Sequence, residues 1–237
     1  MDGNTAKIDI YGGQDPRHIP AYTIAESARY LRIAPATLRS WVLGRKYPTQ
    51  DGAGFFKPLI SVPDSEERKL SFSNLVEAHI LHSLRKIHTI SIQDVRTAIQ
   101  FSEKKLSIAR LLLNQSLRAS AGELFLDRYS ELINLSKSGQ LALKQILQAY
   151  LARVAWEEHE FPARLYPFLS NYFQSDEKKI VIDPAISFGR PIIKSKSIST
   201  QAIVDRIDAG EDITELASDY EIDRQEIEAA IYYERAA

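Results

Sequence analysis

Residues 22 to 47 run Tyr22-Thr-Ile-Ala-Glu-Ser-Ala-Arg-Tyr-Leu-Arg-Ile-Ala-Pro-Ala-Thr-Leu-Arg-Ser-Trp41 and, after Val42 and Leu43, Gly44-Arg-Lys-Tyr47. No other stretch restricts the fold as tightly. Thr23 with Glu26 three positions on is the reciprocal arrangement that caps a helix start, each side chain serving the other's free amide. Ile24, Ala28 and Leu31 then fall on one helical face, and the small Ala25 and Ala28 admit a second helix crossing nearby. Pro35 suits the first turn of that helix, where its missing N–H costs nothing. Leu38 and Trp41, three apart, face the core and leave Thr37, Arg39 and Ser40 on other sides. The pattern is that of a helix-turn-helix.

Charge gives this shape a partner. Arg29, Arg32, Arg39, Arg45 and Lys46 stand against one acid, Glu26, in this stretch, and neutralising phosphates needs such a cluster. The helix from Pro35 is expected to enter the major groove of double-stranded operator DNA. Thr37 and Ser40 would touch base edges or phosphates, Arg39 would make a bidentate guanine contact, and Arg45 and Lys46 would grip the backbone. Thr23 and Pro35, at the two helix starts, complete the expected DNA-facing set. A single small module reaches few bases, so a homodimer on an inverted repeat is expected.

Around this core the chain reads as an N-terminal arm over 1–20, a winged helix-turn-helix domain over 21–105, a small mixed α/β centre over 106–170, a polar linker over 171–179, and a C-terminal helical domain over 178–237. The fold class is α+β. After Trp41, the turn residues Gly44, Pro48, Asp51-Gly52 and Gly54 precede a predicted strand from Phe56 to Val62 and a second from Lys69 to Phe72, which together would form the wing. Helices are predicted from Ser73-Asn74 to about Lys86 and from Ile92 to about Lys105, with Ser91 and Asp94 marking the second start. Residues 106 to 120 suit a helix or a buried strand. Short strands are predicted at 124–129 and 131–135, a helix from Gly139 to about Ala152, and extended segments at 153–157, 163–168, 180–182 and 186–194. Three helices follow, at 200–208, 212–219 and 223–235. The pairs Asp212/Glu215 and Asp223/Glu226 repeat the capping spacing, so the tail has a second helix-turn-helix shape.

Its charge is the opposite of the first. From residue 199 to the end there are eleven Asp and Glu against Arg206, Arg224 and Arg235, and so acidic a surface is repelled by duplex DNA. Protein binding is expected there, with Glu215, Asp219, Tyr232 and Tyr233 as the partner-binding residues.

Several stretches resemble one family. Residues 22 to 101, notably Leu70-Ser-Phe-Ser-Asn-Leu-Val-Glu-Ala-His-Ile80 and Leu84-Arg-Lys-Ile-His88, resemble the MerR-like winged helix of VapB-type antitoxins. Glu131-Leu-Ile-Asn-Leu-Ser-Lys-Ser-Gly-Gln140 and Phe161-Pro-Ala-Arg-Leu-Tyr-Pro-Phe168 are similar to the centre of the same family. Phe188-Gly-Arg-Pro-Ile-Ile193, Ala209-Gly-Glu211, Leu216-Ala-Ser-Asp-Tyr220 and Ala230-Ile-Tyr-Tyr233 resemble its C-terminal domain of unknown function 433. Where that domain usually has a Gly-Thr-Arg-like turn after Pro-Ile-Ile, this chain has Lys194-Ser-Lys-Ser197. The resemblance implies an antitoxin of a type II toxin-antitoxin pair that silences a PIN-like ribonuclease toxin and represses the shared promoter. The rival is a MerR-like transcriptional regulator sensing a small ligand through residues 122 to 170.

Other chemistries find little support. There is no cysteine, hence no disulfide, zinc-thiolate or thiol nucleophile. His79, His82 and His88 with Glu77 lack metal-ligand spacing, and packing or helix-end roles account for them better. Asp127, Glu131, Glu157, Glu158 and Glu160 lack a partner base or phosphate loop, and Gly189-Arg190-Pro191 has too few glycines to cradle a phosphate. A non-enzymatic protein without cofactor or metal is expected. Residues 1 to 10 lack the apolar stretch of a secretion signal, and no run approaches the roughly 20 apolar residues of a membrane helix. A cytoplasmic location without membrane contact is expected.

Overall fold

A computed structural model describes residues 11–49, 52–64, 66–85, 92–157, 161–168 and 178–235. The first part of the predicted arm, Asp51, Lys86, His88, Ser91, Glu158, Glu160 and most of the predicted linker lie outside the described residues.

Helix α1 spans Ile24–Leu31 and begins as its capping residues dictate. The Thr23 hydroxyl oxygen accepts from the Glu26 N–H at 3.1 Å, and the Glu26 carboxylate accepts from the Thr23 N–H at 2.9 Å. Helix α2 follows over Pro35–Leu43 with Pro35 in its first turn. It ends at Gly44, whose φ of 74° and nearness to the Phe56 carbonyl, 2.3 Å from any added Cβ, leave room only for glycine.

That turn delivers the chain into an antiparallel hairpin of β1 (Arg45–Thr49) and β2 (Gly52–Phe56), with Arg45 opposite Phe56 and Thr49 opposite Gly52. The wing therefore exists, but eleven residues earlier than the strand from Phe56 to Val62 that was expected to start it. Residues 57 to 62 instead run back under α2, where the Leu59 and Ile60 N–H groups both donate to the Trp41 carbonyl. Ile60 and Leu70 are core plugs at 1% and 0% exposure. Leu70 pairs with Tyr22 in an isolated bridge rather than in a second wing strand.

Helix α3 (Phe72–Leu84) is capped by Ser71 with Asn74 and is buried almost all round, which makes it the central helix. Helix α4 (Ile92–Leu106) leads into two 3-10 turns at Leu111–Leu113 and Gln115–Arg118. Helix α5 (Ser120–Leu132) replaces the strand predicted at 124–129 and the start of the one predicted at 131–135, whose remainder is a turn. Ala121, Phe125 and Tyr129 are all buried at four-residue spacing, and the last two rings stack at 5.8 Å. A helical face was present where apolar runs suggested strands. Helix α6 (Lys137–Leu151) is followed by a hairpin of β3 (Val154–Trp156) and β4 (Pro162–Leu165).

The last part has a three-stranded antiparallel sheet, β5 (Ile180–Val181), β6 (Ile192–Ile193) and β7 (Ile198–Ser199), in that order. The extended segment predicted at 186–194 is interrupted by a 3-10 turn, Ser187–Gly189. Helices α7 (Thr200–Asp208), α8 (Ile213–Tyr220) and α9 (Arg224–Arg235) complete the chain. The fold is α+β, and one hydrophobic core runs through it from Tyr22 to Tyr233.

Candidate nucleic-acid interface

One face of α2 is fixed by burial, since Leu38 and Trp41 are 0% and 2% exposed. The other face carries Pro35 and Arg39 in solvent, with Thr37 and Ser40 half-buried. The Ser40 hydroxyl donates to the Thr37 carbonyl at 3.0 Å, a bond within the helix. Arg45 and Lys46 open β1, both exposed. The Arg45 guanidinium lies 5.7 Å over the Phe56 ring, which stacks on Tyr47 at 4.1 Å, so an aromatic pair holds this cation at the foot of the wing. Thr23 is exposed, yet its hydroxyl is committed to the cap, donating to the Glu26 carboxylate at 2.8 Å.

The basic cluster of the N-terminal stretch is divided in two. Arg29 pairs with the Glu234 carboxylate, which is 4% exposed and also accepts from the Thr200 hydroxyl. Arg32 donates to the Phe168 carbonyl at 3.0 Å and sits 5.5 Å over Tyr232 and 5.8 Å over Tyr233. Arg190 reaches back to pair with Glu26 and donates to the Tyr30 hydroxyl at 3.3 Å. Arg29 on α1 and Arg32 at its C-cap hold the last helix, and of the five cations Arg39, Arg45 and Lys46 are the exposed ones. The acidic tail neutralises part of the basic front within one chain.

The same contacts decide which tail residues are accessible. Tyr233 is 3% exposed and its hydroxyl donates to the Tyr30 carbonyl at 3.2 Å, so its expected role as a partner-binding side chain gives way to an internal one. Burial holds the Tyr233 phenol well above its ordinary pKa. Tyr232 is half-buried beneath Arg32. Glu215 and Asp219 are exposed on α8, Glu215 closing the capping box with Asp212 and Asp219 pairing with Arg206 at 2.7 Å.

His79 is buried in the centre, its Nε2 3.0 Å from the Tyr150 carbonyl and its ring 4.8 Å from that of Tyr150. Burial pushes its pKa down to about 3, leaving a neutral imidazole. No cluster of three or more His, Asp or Glu side chains among the described residues is placed to hold a metal. No helix among them is long and apolar enough to cross a membrane.

Residues 20–99, which contain this face, match the family described as "Putative DNA-binding HTH domain", and residues 180–233 match "Protein of unknown function (DUF433)". "Putative antitoxin VapB45" of Mycobacterium tuberculosis is 24% identical over 230 residues, covering 90% of this chain and 93% of that protein. The chain is similar to a VapB-type antitoxin along nearly its whole length. The crystal structure of Rv2018 from Mycobacterium tuberculosis, at 21% identity, has the same fold, with a TM-score of 0.66 over 90% of this chain and 98% of that one. The face on α2 thus lies in the stretch that matches a DNA-binding helix-turn-helix domain, and the stretch that matches the domain of unknown function 433 packs on α1.

Two further cations were not among the expected site residues. Arg85, at the end of α3, donates to the Thr37 hydroxyl oxygen at 3.3 Å. Arg96 on α4 donates to the Lys57 carbonyl and, at 3.1 Å, to that of Pro58, holding the segment behind the wing. Neither lies near α2 or the wing in sequence, so no local pattern joins them to that face.

Proposed function

We propose that this chain is an antitoxin and autorepressor that binds operator DNA as a homodimer and neutralises a PIN-like ribonuclease toxin. The observation that carries the DNA half is Arg39, which points into solvent from a helix whose opposite face is sealed by Leu38 and Trp41. Arg45 and Lys46 extend the same basic surface onto the wing, and no carboxylate pairs with any of the three among the described residues. A duplex supplies phosphates to the wing and base edges to α2. Two copies on an inverted repeat double the buried area that one small module offers.

For the toxin half, the support is similarity to a protein named an antitoxin over nearly its full length. Since Tyr233 is internal, the exposed acids of α8, Glu215 and Asp219, form the face assigned to toxin capture.

Both halves are tested by one co-expression. The chain is produced with its neighbouring reading frame, purified by a tag on the neighbour, and titrated against the DNA upstream of its own gene. Co-purification, rescue of growth and a specific shift are expected. A neighbour that neither binds the chain nor arrests growth refutes the toxin half, and absence of any shift at low salt refutes the DNA half.

A further inference from the structure

We infer that Arg85 is a phosphate-binding residue of the same DNA interface, acting from α3 beside Thr37; this rests on the DNA-binding reading above. Arg85 is 48 residues from Thr37 in the chain, yet its Nη1 donates to the Thr37 Oγ1 at 3.3 Å. The core places it there, because α1 packs on both α2 and α3 and brings the exposed end of α3 against the side of α2. It thus borders the flank of α2 that carries Thr37.

Arg85 is exposed, and no carboxylate pairs with it among the described residues. Arg29, Arg110, Arg190 and Arg206 each have a carboxylate partner. A guanidinium has five N–H donors in a rigid fork, and Thr37 takes one. The remaining donors face solvent, in the geometry that matches two phosphate oxygens. Accepting from Arg85 also turns the Thr37 hydroxyl proton outward as a donor. The two side chains present adjacent donors of the kind a phosphodiester accepts. Arg39, on the other flank of α2, is left to the base edges.

A structural role for Arg85 is conceivable as well, since a cation at a helix C-terminus interacts favourably with the helix dipole. That role would register in stability and would leave the salt dependence of DNA binding untouched. The test therefore follows the full-length chain by fluorescence anisotropy against a duplex from its own upstream region and an unrelated duplex of equal length, across a potassium chloride series. Arg85→Ala is expected to weaken both duplexes by about tenfold and to lower the slope of log Kd against log salt by about one. Arg85→Lys restores the slope with only part of the affinity, because an ammonium replaces the fork by a point charge. Unchanged affinity and slope for Arg85→Ala, beside a wild-type chain that binds, overturn the assignment of Arg85 alone. A wild-type chain that binds neither duplex overturns the DNA-binding reading and this one with it.

Discussion

Arg29 and Glu234 stand 205 residues apart in the chain and form one ion pair, with the Glu234 carboxylate almost sealed from solvent. The first helix of the DNA-binding domain and the last helix of the chain are thereby joined. Every cation that α1 contributes to this joint is withdrawn from DNA. The pair thus defines which part of the basic front end is left for a nucleic acid.

Arg29→Met should destabilise the chain by about 2 kcal/mol. It leaves the Glu234 carboxylate buried with the Thr200 hydroxyl as its side-chain partner among the described residues, and solvent around the partly exposed Arg29 softens the loss. Adding Glu234→Leu should recover most of it, since an apolar pair of similar volume replaces a desolvated ionic one. Urea denaturation of both variants measures this, and a double variant less stable than Arg29→Met contradicts it.

Gly189→Ala should cost about 2–3 kcal/mol. The residue has φ of 74° and an added Cβ would lie 1.9 Å from the Tyr22 hydroxyl oxygen. That hydroxyl donates to the Gly189 carbonyl at 3.0 Å across the joint. Tyr22→Phe, which only deletes this bond, should cost about 1 kcal/mol. Thermal melting that ranks the two variants the other way counts against the close packing.

Stability should fall as pH drops below 6.5. The folded-state pKa of His79 is depressed to about 3 from its ordinary value of 6.5, so the unfolded chain takes up a proton that the folded chain refuses. The stabilisation is complete above 6.5 and is lost toward 3, at up to about 1.4 kcal/mol per pH unit. Above about 5 the carboxylates contribute little, so imidazoles dominate this window. His79→Gln should flatten the curve there, and a wild-type curve already flat between pH 5 and 6.5 would refute a neutral buried His79.

Arg39→Ala should cost about 1–3 kcal/mol on the operator and relax sequence preference, whereas Lys46→Ala should weaken all duplexes alike and flatten the salt dependence. Gel-shift titrations on matched and mutated operators separate the two. Equal losses on every sequence for Arg39→Ala would move it from base reading to phosphate contact.

Much of the helix pair was legible locally. Thr23 with Glu26, Pro35, and Leu38 with Trp41 act within one or two helical turns, and the two helices form where those residues place them. The wing was misplaced because Ile60 and Leu70, apolar enough for strands, are drawn singly into the core. The segment from Ser120 to Leu132 was misread because an apolar run carries both periodicities, and only packing against α4 selected the helical one.

By itself the sequence determined the helix-turn-helix, the capped tail helices and the opposite charges of the two ends, since capping, spacing and charge are properties of neighbouring residues. Only the tertiary structure decided which charges remain available. Arg29 and Arg32 look the same as Arg39 in the sequence, but a carboxylate and two aromatic rings from the far end of the chain neutralise or cover them. Arg85, 48 residues on from Thr37, is brought to the surface beside it. Availability of a charge depends on partners hundreds of residues away, and those are set by the burial of a shared core.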